Sequence, residues 1–165
     1  MTASSWITTW AGLVPAGVRV LDLAAGNGRH TRFFAGRGHP VTAVDRDVSG
    51  LAATDIVEVI QADLEDGSPW PLAGRTFGAV VVTNYLHRPL FPVLLDSIRP
   101  GGVLLYETFM IGNERFGKPS RPEFLLRDGE LLDLVRDRLS VTAYEARLIS
   151  EPKMAMVQRI AARLL

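Results

Sequence analysis

The chain has 165 residues, 18 Lys or Arg against 18 Asp or Glu, 47% hydrophobic and 22% charged residues, and no cysteine. That length predicts one domain over residues 1–165 with a full core, and the composition excludes disordered and collagen-like chains. A net charge of zero leaves no global field to steer the protein to nucleic acid or acidic lipid, and the missing cysteine removes disulfide scaffolds, thiolate metal sites and a cysteine nucleophile. Met1 to Ser5 lacks the basic flank of a signal peptide. No apolar run approaches the roughly 20 residues of a membrane span. A cytoplasmic protein is expected, with neither nucleic acid nor membrane as partner.

In chain order, Ser4 or Ser5 caps a short helix with Trp6, Ile7, Trp10, Leu13 and Val14 as its apolar residues, ended by Pro15 and Gly17. Val18 to Leu23 reads as a buried parallel strand, Ala24 to Gly28 as a tight turn, and Arg29 to Arg37 as a helix. Pro40 to Asp45 is a second strand, Val48 to Ala53 a short helix, and Val57 to Gln61 a third strand. Phe77 to Thr83 is the fourth and most apolar strand. A helix follows from Pro89 or Leu90 to about Ile98, then the Pro100-Gly101-Gly102 turn and a fifth strand, Val103 to Phe109. Met110 to Pro122 is a long connection without period, a length that is often functional. Asp128 to Leu139 is predicted helical. Leu139 to Leu148 and Met154 to Ala162 form an antiparallel pair about the Glu151-Pro152-Lys153 turn. Strands alternating with helices predict an α/β fold with a parallel sheet.

The sharpest signal is Val20 to His30, VLDLAAGNGRH. A glycine-rich turn between strand and helix lets a ligand approach the backbone closely. Asp45 ends the next strand, 17 residues after Gly28, near the roughly 20 expected of an acid that holds ribose hydroxyls. A dinucleotide site needs a third glycine where Thr31 stands. It would also be repelled by Asp22, an acid better suited to an ammonium or sulfonium ligand.

These residues resemble motif I of the class I S-adenosylmethionine (SAM) dependent methyltransferases, with Asp22-Leu23-Ala24-Ala25-Gly26-Asn27-Gly28 as the match and Ala24 in place of the usual first glycine. The resemblance continues through Ala43-Val44-Asp45, Gln61-Ala62-Asp63-Leu64, the fourth strand and Arg99-Pro100-Gly101-Gly102. It is similar to the small stand-alone kind that includes tellurite-resistance and other small-molecule methyltransferases. The resemblance implies a Rossmann-like sheet of seven strands, mostly parallel, with a C-terminal antiparallel hairpin and helices on both faces. It implies SAM as cofactor, with S-adenosylhomocysteine (SAH) as product. Ala24, Gly26 and Gly28 would then pack on the methionyl part and Asp22 orient it. Asp45, with Arg46 beside it, would take the ribose. Asp63 would take the adenine amino group and Leu64 its face, and Asn84 would close the site. Each acid also has a plainer reading: Asp45 as a helix cap, Asp63 as a solvated loop acid, Asp22 as bonded only within its own turn.

Thr83 to Pro89, TNYLHRP, follows strand four, where the ligand crevice of such a sheet lies. It lacks the double proline of amino-directed nucleic-acid methyltransferases of this class, which points to a small-molecule acceptor. His87, with an unperturbed pKa near 6.5, is the candidate base, and Tyr85 the candidate for shaping the acceptor pocket. His87 equally reads as a helix-start residue. Arg88 reads as a surface ion pair with an acid or else as a binder of an anionic acceptor, Phe116 as a lid or loop-anchoring aromatic, and Glu107 as pointing toward the crevice. His30, His39 and His87 are too scattered for a metal site, and no catalytic metal is expected. Two other functions compete: a SAM-binding regulatory or partner subunit without chemistry, and an NAD-dependent oxidoreductase. The oligomeric state is open, a homodimer included.

Overall fold

The computed structural model describes residues 1–165. Its seven strands are β1 (Val20–Leu23), β2 (Val41–Asp45), β3 (Val57–Gln61), β4 (Phe77–Thr83), β5 (Ile98–Phe109), β6 (Ser140–Ile149) and β7 (Ala155–Arg163), in the spatial order β3-β2-β1-β4-β5-β7-β6. β1 to β5 pair in parallel, and β7 runs antiparallel between β5 and β6. This is the mixed sheet expected of a Rossmann-like methyltransferase fold.

The central strands are continuous apolar runs because both sheet faces are covered. Alternate residues feed two cores. One gathers Leu21, Leu23, Val80, Val82, Leu104 and Tyr106 under α3 (Phe91–Asp96) and α4 (Glu130–Val135). The other gathers Val20, Val41, Val81 and Leu105 under α1 (Ser5–Trp10) and α2 (Arg29–Gly36). Ser4 caps α1, its hydroxyl accepting from the Trp6 amide at 3.2 Å. The edge strand β6 is largely exposed. No helix is long and apolar enough to cross a membrane.

Two sequence expectations change. Val48 to Ala53 forms no helix. The Asp45 and Asp47 carboxylates each accept the amide two residues on, at 3.0 Å, and so take backbone donors that a helix would need. Gly50 also lies so close to Asn27 that a Cβ there would sit 3.0 Å from the Asn27 Cα, so this segment packs against the glycine-rich turn. The Pro-Gly-Gly segment is part of β5 rather than a turn before it. Phe77 pairs with Ile98 and Ala79 with Val103, so the residues between bulge out opposite Gly78.

The strand order reverses between β1 and β4. In an open sheet of this type the ligand crevice lies beyond the carboxyl ends of the strands at that point. Ala24 to Gly28 leave β1 on one side of it and Asn84 to His87 leave β4 on the other.

Candidate cofactor and acceptor site

A cleft of about 490 Å³ opens at this reversal, within the usual range for small-molecule pockets. Ala24, Asp45, Arg46, Asp63, Leu64, Asn84 and Tyr85 all line it. Seven of the residues singled out by sequence thus meet at one wall from four separate loops. A second, more open recess shares Arg46, Asp63 and Leu64 with it and continues toward Trp70.

The turn is built by backbone geometry. Gly28 sits at φ +83°, where a Cβ would also lie 2.7 Å from the Leu51 side chain. The Gly26 amide donates to Asp45 Oδ2 at 2.8 Å, which ties the end of β2 to the turn after β1. Asp45 therefore stands in the cleft with one oxygen fixed on the turn and the other on the Asp47 amide. Carboxylate oxygens retain further lone pairs for a diol. Ala24 adopts φ +55°, a left-handed conformation that costs a residue with a Cβ about 1–2 kcal/mol. Replacing it by glycine is expected to raise stability by about 1 kcal/mol in urea denaturation, the strain relief exceeding the added chain entropy. An unchanged or lower midpoint would show the turn to be unstrained.

Asp22 does not reach the cleft. It is 2% exposed, and its Oδ2 accepts the Thr31 hydroxyl at 2.6 Å, joining β1 to α2. Burial raises its pKa to about 6, against the opposing Thr31 bond.

On the β4 side, Asn84 also holds a left-handed φ of +54°, and its amide donates to the Glu107 carbonyl at 2.9 Å. The buried Tyr106 hydroxyl donates to the Tyr85 carbonyl at 2.7 Å and fixes the loop from beneath. The Tyr85 hydroxyl donates to Glu65 Oε2 at 3.1 Å. Burial, then the Glu65 charge, pushes this phenol well above its ordinary range, so it stays a neutral donor. His87 does not line the cleft; its Nδ1 lies 3.5 Å from Oε1 of the lining residue Glu65. Glu65 was missed by sequence reading. Its place two residues after Asp63, whose carboxylate takes the Glu65 amide at 2.9 Å, was the available signal.

The long connection folds over the same end. Pro119 and Phe124 line the cleft, whereas Phe116 is 38% exposed and stays outside it. Arg88 pins this segment. It donates to the two Glu130 oxygens at 2.7 and 2.9 Å and to the Leu125 carbonyl at 2.9 Å. Burial pushes the Glu130 carboxyl up, but the Arg88 bonds, the Arg127 amide and the charges of both arginines together outweigh it and hold it below its ordinary value. Arg88→Ala would leave a largely buried carboxylate with its main partner gone. A loss of about 3 kcal/mol in urea denaturation is expected, partly recovered by adding Glu130→Gln.

The lining carries three acids, Asp45, Asp63 and Glu65, against one base, Arg46. An excess of negative charge suits a cationic ligand, and Ala62 and Leu64 offer apolar surface for a ring. A family model described as a methyltransferase domain matches residues 21–105, just over half of the chain. The chain belongs to that methyltransferase family. No curated protein matches it by sequence. In fold, this methyltransferase domain is similar to TehB from Haemophilus influenzae, at TM-score 0.79 and 17% identity, over 100% of this chain and 64% of that one. It therefore spans less than two thirds of the length of TehB. It is also similar to the 1,6-didemethyltoxoflavin-N1-methyltransferase of Burkholderia thailandensis, solved with 1,6-didemethyltoxoflavin and SAH, at TM-score 0.71 and 19% identity over 97% and 78% of the two chains. A SAM-dependent methyltransferase from Mesorhizobium loti gives TM-score 0.72 and 16% identity over 98% of both. At these identities the likeness is one of fold.

Proposed function

We propose that this chain is a SAM-dependent methyltransferase acting on a small-molecule acceptor, in the cytoplasm. The observation that carries the reading is the convergence of Asp45, Asp63, Leu64 and Asn84 on one acid-rich cleft at the strand reversal. The SAH-bound toxoflavin enzyme lends support through its fold.

SAM supplies a methyl group on a positively charged sulfur. The chain's residues bind and orient. Asp45 takes the ribose hydroxyls, Asp63 the adenine amino group, and Leu64 packs on the adenine face. Gly26 and Gly28 let the methionyl part lie against the backbone, and Ala24, Arg46 and Asn84 complete the wall. The excess of carboxylates attracts the sulfonium. Pro119, Phe124 and Tyr85 narrow the acceptor end and keep water away, which is the main contribution such an in-line transfer needs. His87 stays a candidate proton acceptor, next to the cleft-lining Glu65. Asp22 acts on the methionyl end only through the turn it supports.

Incubation with SAM and a mixture of small nucleophiles is expected to release SAH, detected by mass spectrometry. Protection of SAM without SAH formation would favour the non-catalytic subunit. A thermal shift with NAD but not with SAH would sink both readings.

A further inference from the structure

The sheet ends in β6, which pairs only with β7 and leaves its other side open. None of its residues makes a backbone hydrogen bond outside that ladder. A long open edge invites a second strand, and folded proteins commonly guard one with lysine, proline or a bulge. β6, SVTAYEARLI, holds neither lysine nor proline. Its bulge falls between Val141 and Ala143, which leaves Ala143 to Ile149 as a regular, unguarded run.

That run is complementary to itself. Two copies laid antiparallel about a two-fold axis at Ala146 set each Glu145 opposite Arg147 of the other copy. Tyr144 then faces Leu148, Ala143 faces Ile149, and the two small Ala146 side chains meet at the axis. Strand alternation puts Tyr144, Ala146 and Leu148 on one face and Ala143, Glu145 and Arg147 on the other. The two cores confirm these faces, since Tyr144 packs against the one under α4 and Ala143 against the one under α1. Moving the axis by one residue either way sets Glu145 against Glu145 or Arg147 against Arg147. Like charges directly opposite destabilise a strand pair, so charge selects the alignment about Ala146.

The single chain leaves these groups poorly used. Arg147 Nη1 lies 4.0 Å from Glu145 Oε1, and Leu148 is 42% exposed. Residues two apart on one strand are separated by roughly 7 Å, whereas directly opposite residues have Cβ atoms about 4.5–5.5 Å apart. A second copy therefore brings Arg147 and Glu145 together better than one strand does.

We propose that β6 is a self-association surface, through which two copies of this chain join antiparallel about Ala146 into one continuous sheet. A single strand edge is a small interface, so the dimer depends on protein concentration. β5 and β7 separate this edge from the β1–β4 reversal, so the cleft of each copy stays open.

Sedimentation velocity on the unaltered protein between about 5 and 500 µM tests the association. The mass is expected to rise from the 18.1 kDa of one chain toward twice that value. Ala146→Glu sets two carboxylates against each other at the axis, and Arg147→Glu sets two against each Glu145. Both positions are exposed, and Glu145, 3.6 Å from Arg159, is left unaltered. Each variant is expected to weaken the dimer about tenfold or more while its thermal midpoint matches the unaltered protein. Cysteine substitution locates the contact, because the chain has no other thiol. Ala146→Cys is expected to cross-link two copies on mild oxidation. Ser140→Cys, equally exposed but far from the axis, is expected to cross-link far more slowly. A mass of one chain over the whole concentration range would overturn the proposal. So would undiminished dimers in both charge variants, or equal cross-linking at the two cysteine positions, since either would place the contact elsewhere.

Discussion

Replacing Asp45 by alanine is expected to weaken SAH binding about a hundredfold or more in calorimetric titration. Two effects add. The variant loses the charged acceptor for the ribose hydroxyls, worth about 1.5–3 kcal/mol per bond to a charged group. It also releases the Gly26 amide, held at 2.8 Å, and with it the tie between the end of β2 and the glycine-rich turn. A drop of about 3 kcal/mol in binding free energy corresponds to more than a hundredfold in Kd. Asp45→Asn keeps one carbonyl oxygen and is expected to fall between. Equal SAH affinity in all three proteins would mean that Asp45 only braces the turn, the plainer of its two sequence readings.

The second large effect is on pH-dependent stability. Burial raises the Asp22 pKa from 3.8 to about 6, and burial, then the Arg29 charge, lowers His30 from 6.5 to about 4. His30 is held neutral between the Ser4 amide, which donates to its Nε2 at 3.0 Å, and Thr83. Between pH 4 and 6 the folded protein keeps a proton on Asp22 that the unfolded chain has released, so acidification stabilises the fold through this group. Between pH 4 and 6.5 the unfolded chain protonates His30 while the folded protein does not, so acidification destabilises the fold through that one. The two slopes oppose each other and are of similar size. Asp22→Asn removes the first and exposes the second. Relative to the unaltered protein, the variant is expected to lose about 3 kcal/mol more on going from pH 7 to pH 4. Urea denaturation across that range checks it. Parallel profiles would mean that Asp22 ionises near its ordinary pKa.

Much of the fold was legible because its elements are marked by local chemistry. β1, β2 and β4 are short, largely apolar runs of the kind a doubly covered parallel sheet accommodates. Ser4 caps α1 as its position suggested. Val48 to Ala53 misled because apolar content suggested a helix, while Asp45 and Asp47 redirect the amides there. The first motif and the acids that end β2 and follow β3 marked one wall of the cleft, since backbone turns are written in glycine and acid spacing. The rest depends on contacts between distant segments. Nothing near Arg88 reveals that its partner is Glu130, nor does the loop sequence show that Phe124 rather than Phe116 turns inward. The approach of Arg159 on β7 to Glu107 on β5 follows from strand pairing, which places the two opposite each other.

The central claim is that the cleft at the strand reversal binds SAM. A 1H–15N NMR titration with SAH tests it most directly, because it reports affinity and location together. Saturable shifts at micromolar ligand, largest at the amides of Ala24, Gly26, Asp45, Asp63, Leu64 and Asn84, are the expected result. No shifts up to millimolar SAH, or shifts centred away from these residues, would contradict the account.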